Sequence, residues 1–69
     1  MDIRKTRVAR GLTQLALAEL LGVNPSLISH WERGSRRPSA RLIWPLMQAL
    51  GLDDRQRTSL LEQFSRLSV

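Results

Sequence analysis

Ser26, Ser29, His30 and Arg33 stand three and four residues apart, between Asn24 and Gly34. On a helix turning about 100° per residue they share one side. Ile28 and Trp31 fall on the opposite side, with Leu27 and Glu32 flanking them. The polar set is small near its N-terminal end and basic near its C-terminal end. An α-helix fits the major groove of DNA, where short polar side chains reach base edges. Two serines on a helix face alone imply only solvation. Their neighbours give them the groove-reading interpretation.

Other chemistry finds little support. His30 is the only histidine and there is no cysteine, so no metal-ligand set can be assembled. No Ser/His/Asp set, paired carboxylates or glycine-rich phosphate loop occurs. The expectation is a binding protein, not an enzyme, with no cofactor and no metal.

The elements that must position this face are helices. Alternating β-branched runs are missing, and Leu and Ala dominate. Thr13 is a favoured N-cap for a second helix ending at Gly22, whose inward positions are Leu17, Ala18 and Leu21. Asn24 caps the third helix, and Pro25 occupies its first position, where a missing N–H costs nothing. That helix stops at Gly34. Small Ala18 lets the second and third helices approach, and Gly22 permits the turn between them. A first helix spans about Ile3 to Arg10, with Asp2 as cap and Gly11 as stop. After the basic loop Ser35–Pro38, Ser39 can cap a fourth helix with apolar positions Ile43, Leu46, Met47 and Leu50. Asp53 and Gln56 have capping-box spacing for a fifth, carrying Leu60, Leu61, Phe64 and Leu67.

Two features sit awkwardly. Pro45 falls inside the fourth helix and should kink or loosen its first turns, unless that helix starts near Trp44. Trp31 is expected in the core. Leu42 and Trp44 either lie under the fifth helix or form an apolar patch for self-association.

At 69 residues the chain is long enough for one domain, 1–69. Eleven Lys and Arg against six Asp and Glu give a net charge of +5, which favours polyanionic partners, nucleic acid foremost. No apolar run approaches the roughly 20 residues that span a bilayer. The N-terminal MDIRKTRVARG lacks the apolar stretch of a signal peptide, so a cytoplasmic location and no membrane partner are expected.

The chain resembles the XRE, or lambdoid phage repressor and Cro, helix-turn-helix family. The matching residues are RGLTQ (10–14), LAELLGV (17–23), LISHWERG (27–34), RRPS (36–39) and LMQALGL (46–52). The resemblance covers roughly residues 3–52 and implies an all-α, five-helix lambda-repressor-like domain, with helices 2 and 3 as the helix-turn-helix. It implies that Asn24, Pro25, Ser26, Ser29 and His30 face bases or the adjacent backbone. Thr13, Gln14, Arg33, Arg36 and Arg37 would grip phosphates, and Arg7 and Glu32 would form a partly buried ion pair. Well-known relatives read bases with glutamine where this chain has Pro25 and Ser26, so no operator sequence carries over.

The function so implied is that of a sequence-specific regulator of transcription, a repressor foremost. It would bind double-stranded DNA as a homodimer on a near-palindromic operator. The alternative is the antitoxin of a toxin–antitoxin pair, which binds its own promoter and a protein toxin.

Overall fold

The computed structural model describes residues 2–66, with side chains described through Gln63. Five helices follow one another: α1 Ile3–Ala9, α2 Gln14–Leu21, α3 Pro25–Arg33, α4 Ala40–Leu50 and α5 Asp54–Arg66. No strand occurs among the described residues.

The helix boundaries follow from side chains that compete for backbone groups. Asp2 accepts the N–H of Lys5 at 3.0 Å, Thr13 that of Ala16 at 2.9 Å, and Asn24 that of Ser26 at 2.9 Å. Each supplies an acceptor to an orphan donor of the first turn. At α5 the exchange is reciprocal: Asp53 accepts from Gln56 N–H at 2.8 Å, and Gln56 Oε1 accepts from Asp53 N–H at 3.1 Å. Ser39 occupies the N-cap position of α4 but makes no side-chain capping bond. Its carbonyl instead accepts from both Leu42 and Ile43 N–H.

The stops are equally local. Gly22 takes a left-handed φ of 68°. This lets Val23 N–H turn back to Ala18 O at 3.0 Å and swings the chain into α3. Gly34 does the same at the end of α3, where Ser35 N–H reaches His30 O at 3.1 Å.

Pro45 does not break α4, which runs continuously from Ala40 to Leu50. The bond that Pro45 cannot make would end on the carbonyl of Arg41, an exposed residue where water can serve. Tertiary burial compensates further, since Leu46, Met47 and Leu50 all lie in the core.

One core joins all five helices. It contains Ile3, Leu17, Ala18, Ile28, Trp31, Leu46, Met47, Leu50 and Leu60, with Leu52 from the α4–α5 connection. Trp31 is buried, yet its indole N–H has no acceptor among the described residues. Leu42 packs partly against the core while Trp44 remains 54% exposed, so the two residues have different fates. Leu67 lies outside the described residues, as does the side chain of Phe64.

Candidate DNA interface

The outer face of α3 is held from behind by a charged network. Arg7 Nε donates to Glu32 Oε2 at 2.6 Å, and Arg7 Nη2 to Glu32 Oε1 at 3.3 Å. Arg7 Nη1 donates to Leu12 O at 2.7 Å. Gln14 Nε2 completes the set, donating to Glu32 Oε1 at 3.0 Å. A carboxylate only accepts, so this contact fixes which end of the Gln14 amide is nitrogen. Three segments therefore converge on Glu32: α1 through Arg7, the first residue of α2 through Gln14, and α3 itself. The Arg7 and Glu32 side chains are 9% and 5% exposed. A fork of parallel charged hydrogen bonds between largely buried groups fixes angle as well as distance. The orientation of α3 is thereby tied to the start of α2.

On the outer side, Ser26 and Arg33 are exposed, and Ser29 and His30 are half-buried. His30 Nδ1 lies 2.9 Å from Ser35 Oγ and 3.3 Å from Arg33 Nη2. Ser35 Oγ also donates to His30 O at 3.3 Å, so its single hydroxyl hydrogen is shared between the carbonyl and Nδ1. Nε2 is the ring nitrogen with no hydrogen bond among the described residues. Ser35, which sequence reasoning left among the loop residues, contacts both the ring and the carbonyl of His30. Its signal was available: it follows the glycine that ends α3, where the chain doubles back on the last turn.

The remaining residues expected from the sequence divide by the work they already do within the chain. Asn24 spends its side-chain oxygen on the α3 cap and keeps an N–H2 group to donate. Thr13 likewise spends an oxygen lone pair on Ala16 N–H and keeps its hydroxyl hydrogen. Pro25 is half-buried at the head of α3 and has no donor. Arg36 and Arg37 are exposed, with no hydrogen bond or ion pair among the described residues. Buried Pro38 anchors the loop that carries them.

Between α1 and α3 lies a polar cleft of about 480 Å³, lined by Arg4, Arg7, Gln14, Ser29, Glu32 and Arg33. Arg4 has no counterpart in the expected set, because nothing in the spacing of α1 connects it with a residue 29 positions later. Among the described residues, no group of His, Cys, Asp or Glu could hold a metal, and no helix is long and apolar enough to cross a membrane.

Comparison with known proteins agrees with this arrangement. A helix-turn-helix family model matches residues 3–55. The chain is 38% identical over 50 residues to the uncharacterized HTH-type transcriptional regulator YazB of Bacillus subtilis (strain 168), an alignment covering 72% of each chain. No solved structure matches significantly. With the matched segment running from the first residue of α1 into α5, and the two-helix unit at its centre, the chain belongs to the XRE-type helix-turn-helix family of DNA-binding regulators.

Proposed function

We propose that this chain is a sequence-specific transcriptional repressor, acting as a single domain and as a homodimer on a near-palindromic operator. The observation that carries the proposal is the outer face of α3. Its donors and acceptors stand on a helix locked through Glu32 to the start of α2. In this assignment α3 lies in the major groove, with Asn24, Ser26, Ser29 and His30 toward base edges and Pro25 packed at the groove wall. Thr13, Gln14, Arg33, Arg36 and Arg37 hold phosphates and set register. Two copies would place their α3 helices in successive grooves, about 34 Å apart. Occupying the operator suffices to block transcription, so repression asks nothing of the chain beyond this surface. Its place of action is wherever the DNA is, which for such a regulator is the cytoplasm.

The self-association surface is assigned to α4 and α5. Trp44 and Leu61 are 54% and 47% exposed. Arg57 lies over the Trp44 ring at 4.9 Å and stands one helical turn before Leu61, so these side chains form one patch. A second function uses the same patch. An antitoxin would present it to a toxin, and co-purification of a second chain would distinguish the two.

The test is selection from random duplex DNA at several salt concentrations. A two-fold-symmetric consensus with centres one helical turn apart is expected. Binding without any enriched sequence would overturn the repressor assignment.

A further inference from the structure

From the cleft between α1 and α3 we infer a backbone-phosphate seat in which Arg4, on the first helix, is a DNA-contacting residue. This rests on the DNA-binding reading and extends the footprint beyond the helix-turn-helix. Three observations carry it. First, the cleft wall is continuous with the proposed interface, because Arg4 shares it with Gln14, Ser29 and Arg33. Second, the charges do not cancel. Glu32 is the one acid in the lining, and its two oxygens are already occupied by Arg7 and Gln14. The Arg4 and Arg33 guanidiniums therefore face the cleft uncompensated by any carboxylate there. Third, Arg4 is exposed and has no hydrogen bond or ion pair among the described residues. The nearest acid in sequence, Asp2, is engaged as the cap of α1 through Lys5 N–H. Arg4 also borders a more open groove with Asp2, Lys5, Val8 and Ala9, and forms no ion pair with Asp2 there.

A phosphate diester fits this arrangement. It carries one negative charge and two free oxygens, and a guanidinium presents a planar fork of donors to such a group. The free N–H of the Gln14 amide adds a neutral donor beside it. Arg4 and Arg33 would clamp the phosphate from the two walls, α1 and α3, so the strand runs across the mouth of the cleft. The chemistry is independent of base identity.

The experiment measures affinity for a short mixed-sequence DNA duplex against salt, for the wild type, Arg4→Ala, Arg4→Lys and Lys5→Ala. Lys5→Ala removes the same charge from the next residue of α1, outside the cleft. Losing one phosphate contact should reduce the magnitude of the salt slope by about 0.9, and weaken binding roughly five- to tenfold at about 0.1 M salt. Arg4→Ala is expected to show both changes, and Lys5→Ala less than half of either. Arg4→Lys should retain most of the slope. If Arg4→Ala matches Lys5→Ala or the wild type while the wild type binds normally, the phosphate seat is wrong and DNA binding stands. If the wild type itself shows no salt-dependent binding, the DNA-binding reading falls and the seat falls with it. Unchanged circular dichroism melting of each variant keeps loss of fold out of the comparison.

Discussion

Arg7 Nε and Glu32 Oε2 lie 2.6 Å apart across 25 residues of sequence, and both side chains are at least nine-tenths buried. The pair welds the first helix to the third, and Gln14 extends the weld to the second. Such a pair need not stabilise the fold relative to apolar residues, but leaving one member alone is costly. Glu32→Gln keeps the shape and strands the Arg7 charge. It should cost about 3–5 kcal/mol in urea unfolding. Arg7→Met with Glu32→Leu should recover much of that loss while still impairing DNA binding, because the reference that orients α3 is gone. A Glu32→Gln cost below about 1 kcal/mol would mean that water screens the pair in solution.

Arg36 and Arg37 sit on a loop pinned by buried Pro38, with no partner among the described residues to release. Arg36→Ala with Arg37→Ala should weaken binding about equally on operator and random DNA. It should also lower the magnitude of the salt slope by about 1.8, the value for two phosphates. A loss confined to operator DNA would move these residues from backbone holding to base reading.

His30 leaves Nε2 as its free ring nitrogen, because Nδ1 is engaged by Arg33 and Ser35. In the tautomer that accepts Arg33 at Nδ1, Nε2–H is a donor and selects base acceptors, such as guanine N7 or O6, over the cytosine or adenine amino groups. His30→Ala should relax preference at one base pair, by roughly 1 kcal/mol for a single hydrogen bond. Ser35→Ala should affect the same base pair, and the double variant should add little to either single change. Effects at different base pairs, in a selection from randomised sites, would break the link between the two residues.

Trp31 is buried in the core but leaves its indole N–H without an acceptor among the described residues. An unsatisfied buried donor costs about 1–3 kcal/mol. Trp31→Phe removes that donor along with some volume, so the two effects oppose one another. The net change in thermal or urea unfolding should be within about 1 kcal/mol, against about 3–5 kcal/mol for Trp31→Ala. Equal damage from both substitutions would show that the N–H is satisfied in solution.

Trp44 and Leu61 are exposed enough that trimming them should barely disturb the single chain. Trp44→Ala with Leu61→Ala is expected to change stability by less than about 1 kcal/mol, most of it from the lost Arg57 stacking. Sedimentation should show self-association of the wild type at micromolar concentration and its loss in the double variant. A wild type that stays monomeric on and off DNA removes the proposed dimer surface.

The sequence alone determined where the helices lie and which face of the third is polar. Thr13, Asn24, Gly22 and Gly34 set those limits by bonds to backbone groups a few residues away, and such bonds need no distant partner. The inward side of α3, Ile28 and Trp31, was equally legible, because helical periodicity is a local property. The convergence of Arg7, Gln14 and Glu32 was reachable only through family resemblance, since no spacing rule joins α1 to α3. Tertiary structure alone decided the rest. Pro45 stays within α4 because burial of Leu46, Met47 and Leu50 outweighs one missing hydrogen bond at an exposed turn. Leu42 packs partly against the core while Trp44 remains half exposed beneath Arg57 of α5, a division no local pattern specifies. Arg4 and Arg33 line one cleft because two helices far apart in sequence are brought together by the core beneath them.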